Sequence, residues 1–223
     1  MKKLIVLLFA FTVYSFVSVQ AQPFEGKTVT QTTMVTDPSA PLTINEPTIT
    51  TTWTKGSRSR MEMKSPLMGD IITITDYDKK ESVTLLNMMG KKIALVSPLD
   101  EAQKLAADAG SPTLPKDMTC NETGKTKTIL GYTCHEAQCT YSGKSGTIKQ
   151  MSAWYCKDIN THSQQHNSFA GMPFEYSMKS RGMTMNVTTL EISKEPVSDD
   201  SFVIPQDYTI STPEEMMQNM HGK

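Results

Sequence analysis

Residues Thr48 to Lys64 constrain the fold more than any other stretch of the chain. Thr48–Thr54 and Ser57–Lys64 each alternate in side-chain character, and Lys55-Gly56 stands between them. Alternation on both sides of a glycine-containing turn is the pattern of an antiparallel hairpin. A three-residue loop would put Ile49, Thr51 and Trp53 on one face with Ser59, Met61 and Met63. Arg58, Arg60, Glu62 and Lys64 would then face water, as a sheet with one wet side requires.

The same pattern recurs. Asp70–Thr75, Ser82–Asn87 and Lys91–Val96 are short strands divided by Asp76–Glu81 and Met88-Met89-Gly90. The expected register sets Ile72 and Ile74 against Leu85 and Val83, with Ile93 and Leu95 on the same face. Glu25–Val35 is a Thr-rich strand, followed by a Pro-rich loop over Asp37–Pro47. Tyr132–Tyr141 and Thr147–Cys156 make another hairpin. In the last one, Phe174, Tyr176 and Met178 align with Val187, Met185 and Met183. Thr, the commonest residue at 29 of 223, suits strands because its branched side chain packs on a pleated surface.

One helix interrupts the strands. Ser97 is an N-cap, Pro98 fits the first helical position, and Asp100 and Glu101 complement the positive end of the dipole. Leu99, Ala102, Ala106 and Ala109 form its apolar stripe, and Gly110 and Pro112 stop it. Thr212-Pro213-Glu214-Glu215 opens a short terminal helix by the same logic. The expectation is a mainly β, antiparallel, single domain of nine or ten strands over residues 22–210, with a helix or tail at 211–223.

The first residues set the compartment. Lys2 and Lys3 precede an apolar run from Leu4 to Val19, and Val19-Gln20-Ala21 supplies a small-residue cleavage site. This reads as a signal peptide over residues 1–21, cut after Ala21, so the protein is expected to be exported to a periplasm or the extracellular space. No later stretch is apolar enough to span a bilayer. Removing Lys2 and Lys3 leaves 20 basic against 23 acidic residues, a net charge of -3, which excludes a nucleic-acid partner held by charge. Asn121-Glu122-Thr123 and Asn186-Val187-Thr188 fit glycosylation sequons, which matter only in a eukaryotic secretory route.

Export favours disulfides for Cys120, Cys134, Cys139 and Cys156. Their spacings of 14, 5 and 17 fit no zinc-ribbon pattern. A register pairing Tyr141 with Lys149 sets Cys134 opposite Cys156 and leaves Cys139 for Cys120, one of three possible connectivities.

Catalytic signals are sparse. His162 and His166 are four apart but lack the glutamate of a zinc-protease helix, since Ser163 follows His162. Gly124-Lys125-Thr126 imitates the end of a phosphate-binding loop, but Thr119 stands where the first glycine belongs. No Gly-x-Ser-x-Gly nucleophile elbow occurs. The expectation is a non-enzyme without a cofactor. Met216, Met217, Met220 and His221 are soft ligands that suit Cu(I), against the alternative of a frayed helix packed on the sheet.

The methionines say more. Met61, Met63, Met178, Met183 and Met185 fall on inferred inward faces with Trp53, Phe174 and Tyr176. Met is unbranched and polarizable, so such a face can accept ligands of variable shape. The candidate ligand-binding set is Trp53, Met61, Met63, Ile72, Ile74, Leu85, Phe174, Tyr176, Met183 and Met185, with a lipid or lipoprotein acyl chain as the partner. An ordinary core with Met as gap filler is the alternative, and with it a protein-interaction or envelope-structural module that holds no small ligand.

Three blocks carry a resemblance. Trp53-Thr54-Lys55-Gly56-Ser57-Arg58-Ser59-Arg60-Met61-Glu62, Thr123-Gly124-Lys125-Thr126-Lys127-Thr128-Ile129-Leu130-Gly131-Tyr132-Thr133-Cys134 and Phe202-Val203-Ile204-Pro205-Gln206-Asp207-Tyr208 resemble, in order, a family of exported bacterial proteins of unknown function. That family is similar in architecture to the LolA-like periplasmic lipoprotein carriers. The resemblance implies an antiparallel half-barrel wrapped around a helix and a hydrophobic or lipidic ligand. It supplies no catalytic residues.

Overall fold

A computed structural model describes residues 24–36, 46–65, 69–88, 90–108, 118–142, 148–161, 169–180 and 183–221. The expected signal segment, most of the Pro-rich loop, His162, His166, Ala109 of the expected helical stripe and the expected helix stop at Gly110 and Pro112 lie outside the described residues.

The strands in chain order are β1 (Gly26–Thr36), β2 (Thr48–Lys55), β3 (Arg58–Ser65), β4 (Gly69–Asp76), β5 (Glu81–Met88) and β6 (Lys91–Pro98). After α1 (Leu99–Asp108) come β7 (Thr119–Ile129), β8 (Tyr132–Ser142), β9 (Ile148–Cys156), β10 (Met172–Ser180) and β11 (Met183–Ser193). A 3-10 turn (Asp199–Phe202), β12 (Thr209–Ser211) and α2 (Pro213–His221) complete the chain. All twelve strands join one open sheet in the order β12-β6-β5-β4-β3-β2-β1-β11-β10-β9-β8-β7. Every pairing is antiparallel except β12 on β6. The mainly β half-barrel with a helix is therefore the fold. β7 and β12 bring the strands to twelve. β7 is almost wholly exposed, so it lacks the apolar alternation that marks a strand in sequence.

Turn length decides which side chains face α1. Lys55 pairs with Arg58, so Gly56-Ser57 is a two-residue turn, with Gly56 at φ 56°. Glycine at the first central position is the signature of a type II′ hairpin, whose twist matches the flanking strands. Relative to a three-residue loop, the register moves by one residue, which exchanges faces. Trp53 therefore pairs with Arg60, and Met61 with Thr52. The β5–β6 turn also has two residues, since Met88 pairs with Lys91. Ile72 and Ile74 pair with Leu85 and Val83 as expected, but Ala94 and Val96 continue that face, not Ile93 and Leu95. In the β10–β11 hairpin the register is displaced by two: Tyr176 pairs with Val187 and Met178 with Met185, which preserves the shared face.

Ser97 and Pro98 belong to the end of β6 and do not open a helix, because their pairing with Ser82 and Glu81 holds them extended. The Leu99 amide donates instead to the Lys80 carbonyl at 2.8 Å, and Asp100 Oδ1 accepts from the Glu101 amide at 3.0 Å. The terminal helix opens on a capping box: Thr212 Oγ1 accepts from the Glu215 amide at 3.2 Å, and Glu215 Oε2 accepts from the Thr212 amide at 3.0 Å.

The face of β4–β6 turned away from α1 buries Ile74, Val83, Leu85 and Ala94 under Phe202, Ile204 and Tyr208. Charge clamps this C-terminal strap. Asp199 accepts from Arg58 and pairs with Lys55 at 3.1 Å. The Arg58 guanidinium stacks 4.8 Å from the Phe202 ring centroid, and Arg60 donates to the Ser201 carbonyl at 3.2 Å. Lys92 pairs with Asp207 and lies over Tyr208. The first and third family blocks thus meet in space.

Tyr141 pairs with Lys149 and Cys134 with Cys156, the register read from sequence. Cys120 and Cys139 are directly opposed and disulfide-bonded, 4.1 Å apart at Cα, the close kind of antiparallel pair. The second expected bridge is not formed: Cys134 and Cys156 are buried thiols. Each sulfur is taken by backbone, Cys134 Sγ donating to the Tyr132 carbonyl at 3.8 Å and Cys156 lying against the amides of Asp158 and Ile159. Burial pushes the Cys134 thiol up to about 11 and raises that of Cys156.

Candidate ligand-binding cavity

The space between α1 and the sheet is a cavity of about 530 Å³. Its floor is a regular array. Register aligns Thr28, Thr52, Met61, Thr73 and Thr84 in one row across β1 to β5. Thr54, Ser59, Thr75 and Ser82 form the next row. All nine line the cavity. Neighbouring strands lie about 4.8 Å apart, so hydroxyls recur at that interval except where Met61 intervenes. The roof is the helical stripe Leu99, Ala102 and Ala106, with Gln103 beside it. Met172, Pro173, Tyr176 and Val187 close one side.

The lining contains no Asp, Glu, Lys, Arg or His among the described residues. Thr28, Thr54, Thr75 and Ser82 are each more than nine-tenths buried. Thr30 donates to the Thr50 carbonyl at 3.5 Å, and Ser59 hydrogen-bonds Tyr77. Among the described residues, the side-chain hydroxyls of Thr28, Thr52, Thr54, Thr73, Thr75, Ser82 and Thr84 bond to no protein group. Burial raises the Tyr77 phenol above its ordinary range and pushes that of Tyr176 up to about 12. Both phenols are neutral donors at physiological pH.

The ten candidate residues separate into several places. Met61 and Tyr176 line the cavity. Met185 is buried in the adjoining core with Met178, Val187 and Tyr155, and Tyr176 packs on it. Met63 shares the face of Met61, paired with Thr50 and Ile71, and Met183 pairs with Thr36 farther along β11. Trp53, Ile72, Ile74 and Leu85 lie on the opposite face of the sheet, by the register given above. Phe174 is fully buried in a separate core with Phe24, Cys134, Cys156 and Ile159. The threonine rows went unread in the sequence, although Thr at every second position of β1, β2 and β4 announces them. Tyr77 and Gln103 come from a turn and a helix flank that carry no such signal.

Other chemistry is thin. Among the described residues, no group of three or more His, Cys, Asp and Glu could hold a metal ion. Met216 and Met217 lie on α2, while the side chains of Met220 and His221 are outside the described residues. Among the described residues, no helix is long and apolar enough to cross a membrane.

Residues 34–173 match a domain of unknown function, DUF4412. The chain belongs to that family. The match takes in the first two blocks quoted above and ends before the third. No curated protein matches the sequence. Among solved structures, the chain is similar to PNGF-II at 12% identity and a TM-score of 0.48, covering 88% of this chain and 32% of that one. It therefore spans about a third of the PNGF-II chain. LprF from Mycobacterium bovis matches at 12% identity and a TM-score of 0.39, covering 83% and 90%. A LolA-superfamily protein from Nitrosomonas europaea matches at 9% identity and a TM-score of 0.38, covering 81% and 90%.

Proposed function

We propose that this DUF4412 protein is an exported, non-enzymatic carrier or sensor that encloses a hydrophobic small molecule, such as a lipid or an acyl chain, between α1 and the sheet. The observation that carries the reading is the cavity itself. Its volume of about 530 Å³ falls in the range of about 300–1,000 Å³ usual for small-molecule sites. Its roof is apolar and its described lining residues are uncharged, so hydrocarbon enters without stranding a charge among them, and each 100 Å² of apolar surface removed from water contributes about 2.5 kcal/mol. The sequence supports export through Lys2-Lys3, the apolar run and Val19-Gln20-Ala21.

The test uses an uncharged naphthylamine dye whose fluorescence rises in apolar surroundings. Titration of the protein should give saturable binding, and Ala102→Trp, which fills the space under the roof, should weaken it by roughly tenfold or more. No saturable binding, or equal binding by the variant, would overturn the reading.

A further inference from the structure

The two walls of the cavity ask for different chemistry. Five adjacent strands present hydroxyls at strand spacing, and the helix presents Leu99, Ala102 and Ala106. Thr54, Thr75 and Ser82 are buried, yet their hydroxyls bond to no described protein group and open on the cavity. Buried polar groups in folded proteins are almost always partnered. These hydroxyls open on the cavity and are within reach of water, so a ligand that displaces that water must itself offer them a partner. A bare hydrocarbon chain offers none. A carboxylate or phosphate inside would be desolvated with no opposing charge among the described lining residues, a strongly unfavourable arrangement.

We propose that the ligand is an uncharged amphiphile carrying several hydroxyl, ether or ester oxygens along one flank and hydrocarbon along the other. This deepens the carrier reading and rests on it. The oxygenated flank lies along the rows Thr28-Thr52-Thr73-Thr84 and Thr54-Ser59-Thr75-Ser82, and the hydrocarbon flank lies under α1. Threonine serves this wall because each side chain offers a hydroxyl and a methyl at one position, so the floor accepts hydrogen bonds between patches of apolar contact. Met61 and Tyr176 mark where the rows give way to purely apolar or aromatic contact.

The experiment displaces the naphthylamine dye from the full mature protein with three probes of matched chain length: monoolein, oleate and octadecene. Monoolein should displace it at roughly tenfold lower concentration than either of the others. Thr54→Val with Thr75→Val keeps the shape and removes two hydroxyls. It should weaken monoolein by roughly tenfold and leave octadecene within about threefold. Thr54→Ser with Thr75→Ser keeps the hydroxyls and should retain monoolein binding, which separates lost hydrogen bonds from lost packing. Equal or stronger displacement by oleate or octadecene, failure of monoolein to displace a bound dye, or unchanged monoolein binding in the valine variant overturns the inference while the carrier reading stands. Failure of the dye itself to bind overturns both.

Discussion

Phe202→Ala probes what fastens the C-terminal strap to the sheet. Full burial of a phenylalanine makes its replacement by alanine cost about 3–5 kcal/mol. Phe202 is half-buried over Ile74, Val83, Leu85 and Ala94, so about half of that applies, roughly 1.5–2.5 kcal/mol. Its ring also carries the Arg58 guanidinium at 4.8 Å, worth about 0.5–1 kcal/mol at a partly exposed site. The expected loss is therefore about 2–3.5 kcal/mol. For a domain of this size that lowers the melting temperature by about 4–14 °C. Thermal and denaturant unfolding followed by far-UV circular dichroism would read it. Val203→Ala is the control, because Val203 is 58% exposed and should lose less than about 0.5 kcal/mol. A double-mutant cycle with Arg58→Ala should return a coupling of about 0.5–1 kcal/mol. The reasoning is refuted if Phe202→Ala is no worse than Val203→Ala. Dye binding should survive the change, because the strap lies on the face away from the cavity.

Three further outcomes follow from the structure. Unfolded without reductant, the chain should release two thiols to Ellman's reagent, Cys134 and Cys156, while the folded protein reacts slowly because both are buried and the Cys134 thiol stands at about 11; no thiols on unfolding would mean a second bridge. Arg58 with Lys55, and Lys92, hold the Asp199 and Asp207 carboxyls below their ordinary 3.8, so their stabilisation is complete above that value and is lost as pH falls through the lowered folded values. The variant Asp199→Asn with Asp207→Asn should thus melt below wild type at about pH 6, with the gap narrowing as pH falls toward about 2; an equal gap at both would contradict this. Thr75→Val replaces a hydroxyl that opens on the cavity and bonds to no described protein group, so stability should change by less than about 1 kcal/mol, and a larger loss in chemical denaturation would contradict the placement.

Local pattern made most of the sheet legible. Alternation located the strands, and the Cys134–Cys156 and Ile74–Val83 registers follow from hydrophobic matching across short turns. What could not be read was turn length to within one residue. At Gly56-Ser57 that single residue sends Trp53 to one face and Met61 to the other. The site suffered most from this, because a ligand face is defined by parity. Apolar residues also drew the eye, yet Ile72, Ile74 and Leu85 serve the strap side, while the cavity floor is threonine. Thr is read as a strand former, and nothing in one sequence says whether its hydroxyl meets water or a ligand. The first quoted block, by contrast, marks structure: its Arg58 holds Asp199 and stacks on Phe202, the first residue of the third block.

Native mass spectrometry of the protein isolated from its own envelope without detergent tests the carrier reading most directly. A carrier predicts a population heavier than the chain mass by one uncharged lipid, released on collisional activation and lost from Ala102→Trp. Bare mass alone from the wild-type protein, with no adduct to lose, would contradict it.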